Sequence, residues 1–459
     1  MTRALLVKEA RALLPIWVLT ASAAAVAPLL EEFLHAMAVV AFGAGVMMLG
    51  AYSVGHEYVH RTIPLTLALP INRSRLFVVK LLVAAAMVLP LAAYASAVDL
   101  LYHPFPWALA ACALLVAPPM TTVTGSPLAG AVISATIAFV LLSILMLVSG
   151  IWWNAPAADE RAVLEWWGRL MVALCPAWAI LGWRWFTRFE LIERGGPGIA
   201  ATMRVTGSTA ARPSHPLWQL VKKELRLQHS AWLVVALFVA LCAAPVLVGI
   251  VRPETAGVLL VAGTTMYWLV LPVVIGACAT AQEREIGALP SQLLLPMPVW
   301  QQWAIKAATC ACLAMAFGVG IPLLVLKLAP IDNPLGSLPP IGAMVAMHGV
   351  LLITSFYVSS ASRSVVWAAV VSVAAIPIAA ALAGAVVAIV LRAGAAGSLR
   401  GVQAAWGAGA LLAIGIVMLV LTYVNHRAEA PDRKQIATQV LALAELGAVA
   451  VAVFAMQGH

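Results

Sequence analysis

Twelve predominantly apolar stretches, most near the length needed to cross a bilayer, follow one another along this chain. They run about 13–31, 35–54, 77–98, 107–120, 128–151 and 170–187, then 231–251, 257–280, 306–327, 340–358, 365–391 and 404–424. A hydrocarbon layer about 30 Å thick takes about 20 helical residues to cross. Inside it every backbone N–H and C=O must be satisfied by the protein, which leaves helices for stretches of this length. With 63% hydrophobic and 10% charged residues and a mean hydropathy of +1.00, the chain carries more apolar surface than one water-soluble core can hide. The expected fold is an all-α integral membrane protein with about 12 transmembrane helices. A thirteenth apolar stretch, 438–456, has Glu445 as its one charged residue. A single glutamate does not exclude spanning, so spanning, interfacial and bundle-packed placements stay open for it.

The net charge of +9 invites a nucleic-acid reading, but its distribution points to membrane topology. With a cytoplasmic N-terminus, 21 of the 27 Lys and Arg fall on the inner side. That is the positive-inside bias, and it predicts a multi-pass protein of the cell inner (plasma) membrane. Arg161, Arg169, Arg392 and Arg400 fall outside. Trp152, Trp153, Trp166 and Trp167 at one boundary, with Trp183 and Trp185 at the other, fit aromatic belts as well as bundle core. All six cysteines lie in apolar stretches and read as small core residues. The basic N-terminus followed by an apolar run mimics a signal peptide. Its recurrence inside the chain argues against cleavage.

The polar connection between the second and third stretches occurs twice. Glu57 to Lys80 returns as Glu283 to Lys306 at a constant offset of 226, with Pro64/Pro290, Leu67/Leu293, Leu69/Leu295 and Pro70/Pro296 in strict register. Upstream, Lys8-Glu9-Ala10-Arg11 returns as Lys223-Glu224-Leu225-Arg226 at an offset of 215, so about eleven extra residues enter the first two helices of the second copy, or their connection. Charged and apolar residues mixed at helical spacing in Val7 to Leu14 and Leu220 to Leu227 predict an amphipathic interfacial helix before each set of spans. The polar, Gly- and Pro-containing segment 188–215 separates the sets. An even number of spans in each set makes them parallel rather than inverted repeats. The predicted organisation is a first six-helix unit at 1–187, a cytoplasmic linker at 188–215, a second unit at 216–424, and a cytoplasmic segment with a last apolar helix at 425–459.

The second copy reads Glu283-Arg284-Glu285-Ile286-Gly287-Ala288-Leu289, then Leu293-Leu294-Leu295-Pro296 and Lys306. It resembles the E-x-E-x-G-T-L, L-L-x-x-P, K pattern of type-2 ABC exporter permeases. The first copy matches the later part of that pattern through Leu69-Pro70-Ile71-Asn72-Arg73, but has Val59 for the second Glu and Arg61 for the Gly. The resemblance implies a permease in which the interfacial helices, with Lys8, Glu9, Arg11, Lys223, Glu224 and Arg226, form elbows. It also implies that the repeated block couples to a separate cytoplasmic ATP-binding subunit, in two copies, which holds the ATP and Mg. The residues expected to form or position the coupling surfaces are Glu57, Arg61, Pro70, Arg73, Arg75, Lys80, Glu283, Glu285, Gly287, Pro296 and Lys306. Replacing Glu57 and Glu283 by Ala is then expected to uncouple hydrolysis from transport with little loss of folded protein. No phosphate-cradling G-x-x-x-x-G-K-[ST] loop occurs in the chain, so it is expected to be a permease without its own ATPase site and without a cofactor or metal. The exported substrate is not legible.

Two other classes compete. His56-Glu57-Tyr58-Val59-His60 is a literal H-E-x-x-H, which on a helix offers two histidines one turn apart to a zinc ion and Glu57 as general base. Against a membrane-embedded metalloprotease, the repeat keeps the carboxylate as Glu283 but turns His56 and His60 into Gln282 and Ile286. An ion-coupled secondary transporter would need buried coupling carboxylates, and the sequence places none in mid-span. Glu31, Glu32, Asp99 and Lys327 lie near outer ends, and His348 is the notable titratable group inside a stretch, read as hydrogen-bonded core.

Overall fold

The computed structural model of the chain describes residues 2–29, 32–60, 62, 72–101, 105–153, 160–187, 216–249, 253–328, 341–373, 375, 399–428 and 432–456. Among the described residues every regular element is helical. The first run comprises α1 (Thr2–Val26), α2 (Glu32–Val59), α3 (Arg73–Ala97), α4 (Phe105–Thr124, through a π turn at Cys112–Val116), α5 (Pro127–Trp153) and α6 (Glu160–Thr187). After the linker come α7 (Pro216–Leu227), α8 (His229–Gly249), α9 (Pro253–Ile286) and the short α10 (Leu289–Leu293). α11 covers Val299–Met315 and continues through a π turn at Ala316–Gly320 into Ile321–Leu328. The chain then forms α12 (Ile341–Ala361), a helix starting at residue 365, α13 (Leu399–Arg427) and α14 (Arg433–Met456). Among the described residues six helices are long and apolar enough to cross a membrane, or seven if α7 and α8 form one bent span. The linker 188–215 and most of the stretch 365–391 lie outside the described residues.

The expected interfacial helix is separate in only one of its two places. α7 and α8 meet at a 54° bend, and the residue between them, Gln228, donates from Nε2 to the Ile275 carbonyl of α9 at 3.2 Å. α1, by contrast, runs unbroken from Thr2 through Pro15 into the apolar stretch. The expectation of a distinct elbow before the first span is therefore corrected: there the charged turn is the first part of the same helix. The extra residues of the second copy lengthen helices, since α9 has 34 residues against 28 in α2.

Two glycines at equivalent places in the repeat bring helices to backbone contact. A Cβ on Gly50 of α2 would stand 1.7 Å from the Ala113 carbonyl oxygen in the π turn of α4. A Cβ on Gly276 of α9 would stand 1.9 Å from Ser355 Oγ of α12. Only hydrogen fits in either place.

The last helix is tied in by amides. Gln439 of α14 donates to Asn425 Oδ1 at 2.9 Å and accepts from Tyr357 at 3.2 Å, so its first turns pack on α12 and α13. His348 is buried edge-on to Trp268 in the core. Trp167, expected in an aromatic belt or the core, is core: it is buried, stacks on Phe105, and donates to the Ala138 carbonyl. Trp166 and Trp183 are exposed. Of the cysteines read as core residues, Cys312 is instead exposed on α11.

Candidate functional site

The recurring charges meet in two matching quartets. In the first, Lys80 Nζ of α3 lies 2.9 Å from Glu9 of α1 and 3.1 Å from Glu57 at the end of α2, and also donates to the Ser53 carbonyl at 3.3 Å. Lys8 joins from outside, 3.3 Å from Glu57. In the second, Lys306 Nζ of α11 lies 2.8 Å from Glu224 of α7 and 2.9 Å from Glu283 of α9, and donates to the Ala279 carbonyl at 2.9 Å. Lys223 pairs with Glu283 and with Gln292 of α10. Ser53 and Ala279 are themselves in register in the repeat, so the correspondence extends to the backbone acceptor. Each quartet balances two carboxylates with two ammonium groups, and a buried charge persists only when paired in this way.

Burial sets the role of these groups. Glu9, Glu57, Lys80, Glu224, Glu283 and Lys306 are all between 0 and 3% exposed, whereas Lys8 and Lys223 reach the surface. Burial pushes the Glu9 carboxyl above its ordinary value, and the Lys80 ammonium pulls the other way. Glu57, Lys80, Glu283 and Lys306 were expected to form or position the coupling surfaces, with replacement of Glu57 and Glu283 by Ala costing little folded protein. They are internal: each quartet fastens the leading charged helix to the end of the second helix and the start of the third. No buried coupling carboxylates were expected; the four carboxylates are buried, but they lie at helix ends and in the leading charged segments rather than in mid-span. The signal was present in the common register of Lys8-Glu9, Glu57 and Lys80 with their copies, but charge in a polar connection reads as solvated until the helices are packed.

The helix ends around the quartets explain the unequal copies. α9 stops in a Schellman turn: Gly287 has φ +72°, its N–H bonds to the Arg284 carbonyl at 3.1 Å, and Ala288 N–H bonds to the Glu283 carbonyl at 2.8 Å. The first copy keeps the longer bond, from Thr62 N–H to the Glu57 carbonyl at 2.9 Å. Glu285 accepts from the Val365 N–H at 2.9 Å, capping the helix that starts there. In the first copy that helix is α5, whose first residue is Pro127. Proline has no N–H to satisfy, so Val59 suffices where the second copy needs Glu285. Arg284 donates to the carbonyls of Ser360, Ser362, Asn425 and Ala428, closing the ends of α12 and α13. Tyr58, its counterpart in the first copy, donates to the Thr122 carbonyl at the end of α4. Neither contact was read from the sequence, because nothing local pairs an Arg with a Tyr.

The remaining expected residues divide by exposure. Arg61 and Pro70 lie outside the described residues. Arg73 donates to the Thr187 carbonyl at 3.2 Å and so closes α6, while Arg75, Arg11, Arg226, Gly287 and Pro296 are exposed. The connection after α10 presents Leu294 at 85% and Leu295 at 42% exposure. These apolar tips stand in a polar segment between two spans.

The H-E-x-x-H residues do not converge as zinc ligands. His56 is buried, with Nδ1 3.1 Å from the Tyr52 carbonyl and Nε2 3.5 Å from Glu9, while His60 is exposed at the end of the helix. Glu9, His56 and Glu57 do bring donor atoms within 4.8 Å of one another. The Lys80 ammonium already stands between those carboxylates, where a cation would bind. This donor set fits a lysine, not a metal. Comparison of the chain with protein families, curated proteins and solved structures gave no match.

Proposed function

We propose that this chain is the membrane subunit of an ATP-driven exporter, built from two parallel six-helix halves. A separate cytoplasmic ATP-binding subunit engages the repeated connections, and the substrate passes between the halves. The N-terminus is cytoplasmic in this reading, and the chain itself carries no ATPase site. The observation that carries it is the pair of matching ion quartets. Each ties a leading helix, the end of a second span and the start of a third into one unit, so a push on the connection is delivered to three helices together rather than absorbed by a loop. The exposed Leu294 and Leu295 offer the apolar contact that a soluble partner would cover.

An ion-coupled transporter would also use buried carboxylates, but each of these four already faces a lysine ammonium. The two readings separate by energy source. Affinity purification of the full-length chain from native membranes should bring down an ATPase. The Leu294→Asp, Leu295→Asp variant should lose that partner while its melting temperature stays within the range of other surface changes. Purification of the intact chain without any ATPase, under conditions that preserve membrane complexes, would defeat the proposal.

A further inference from the structure

An open apolar groove of about 290 Å³ lies where α11 meets α13, lined by Trp300, Trp303, Ile416, Leu419, Val420 and Tyr423. Its volume is just below the range of ligand pockets, about 300–1,000 Å³, which suits a chain-like occupant better than a bulky one. One end lies level with the polar connection. Trp300 is the second residue of α11, and Arg284 from the end of α9 reaches the Asn425 carbonyl near the end of α13. At this end Trp303 packs edge-on to Tyr423, and the exposed Arg427 guanidinium lies 5.9 Å from the Tyr423 ring. From there Leu419 and Ile416 carry the groove down α13 into its apolar stretch. Aromatic rings and a cation at the boundary, with aliphatic side chains below, match the layering of a phospholipid.

The matching face in the first copy is bridged by side chains. Ser74 and Phe77 of α3 stand where α11 has Trp300 and Trp303, each pair in register in the repeat. Trp183 of α6 donates to Ser74 Oγ at 3.0 Å, Phe77 packs on Phe186 at 5.4 Å, and Arg73 ties the end of α6. The contact of Phe77 with Phe186 matches that of Trp303 with Tyr423, which places Val420 of α13 at the position of Trp183; Trp300 has no hydroxyl to accept a hydrogen bond as Ser74 does, and Val420 has no polar side-chain atom to donate one. We propose that the open groove holds an acyl chain of one anionic glycerophospholipid from the surrounding bilayer, with its phosphate against Arg427. Among the described residues the counterpart is bridged by the Trp183–Ser74 hydrogen bond and the Phe77–Phe186 contact, so one lipid is expected, and the proposal does not depend on the exporter reading.

Native mass spectrometry of the full-length protein, loaded with dioleoyl phosphatidylglycerol and dioleoyl phosphatidylethanolamine in equal amounts, tests this. The wild type should retain one lipid with phosphatidylglycerol preferred about fivefold, the effect of one cation at a membrane surface. Arg427→Gln, an exposed position, should keep the lipid but lose the preference. Trp300→Ser with Val420→Trp transplants the Ser74–Trp183 closure and should remove the lipid of either kind. Equal retention of the two lipids by the wild type overturns the proposal, as does an unchanged preference in Arg427→Gln. Full retention in a double variant that melts like the wild type also overturns it, and if that variant does not fold, the Arg427 comparison decides.

Discussion

Replacing Lys306 by Met is the most direct perturbation of the buried quartets. The ammonium stands 2.8 and 2.9 Å from Glu224 and Glu283, and all three groups are at most 2% exposed. Met keeps most of the volume, so packing changes little, but two carboxylates are left with Lys223 alone. Removing one partner of a buried pair costs about 3–5 kcal/mol. An independent limit comes from proton uptake: converting one carboxylate to the acid at pH 7, from an ordinary carboxyl near 4.3, costs about 3.7 kcal/mol. The expected loss is therefore about 3–4 kcal/mol at pH 7. Because the folded variant then holds a proton that the unfolded chain releases, its stability falls as pH rises. The deficit against wild type should shrink to about 1 kcal/mol at pH 5, where the same conversion spans only about 0.7 of a pH unit. Unfolding in detergent followed by tryptophan fluorescence reads both quantities, with Arg226→Gln as an exposed control expected within about 0.5 kcal/mol. Adding Glu224→Gln to Lys306→Met rebalances the charge and should recover most of the loss. A deficit under about 1 kcal/mol at pH 7, or one that ignores pH, would refute the pairing argument.

Other outcomes follow from the same contacts, each read by unfolding in detergent. Glu285→Ala leaves the Val365 N–H without its cap and should cost about 1 kcal/mol. Adding Val365→Pro, which reproduces the arrangement at Pro127, should cancel most of that cost, and no recovery would dismiss the explanation for Val59. Arg284→Ala uncovers four carbonyls at two helix ends and should cost about 2–3 kcal/mol; Arg284→Gln should retain part of it. Gly276→Ala drives a methyl into Ser355 and should destabilise by about 1–3 kcal/mol, as should Gly50→Ala against the Ala113 carbonyl. Zinc added to the wild type should leave its melting temperature unchanged, because Lys80 holds the position between Glu9 and Glu57.

The all-helical character was legible because stretches of apolar residues near bilayer length have few other ways to satisfy their backbones. The described helices cover most of each expected stretch except 365–391, of which residues 374 and 376–391 lie outside the described residues, as do 30, 31, 250, 251 and 340 at the ends of other stretches. The repeat was legible too, down to the residues that pair: Lys8 and Glu9, Glu57, and Lys80, each with its copy. Their role was not. Glu57 and Lys80 stand in a polar connection, where charge ordinarily means solvent, and only the approach of α1, far upstream of Lys80 in the chain, closes water out.

The same limit explains the elbow and the unequal copies. Mixed polarity in Val7 to Leu14 is compatible with a separate interfacial helix or with the first turns of a continuous one, and packing against α2 and α3 selects the latter. The loss of Glu285 in the first copy makes sense only beside Pro127, which is remote from Val59 along the chain but packs against Gly55, one turn before Val59 on the same helix. Periodicity and repetition along a chain set which segments become helices and which residues recur. Which charges are buried, which backbone groups need a partner, and which of two matching faces stays open depend on atoms brought together from distant segments, and only the packed structure supplies those distances.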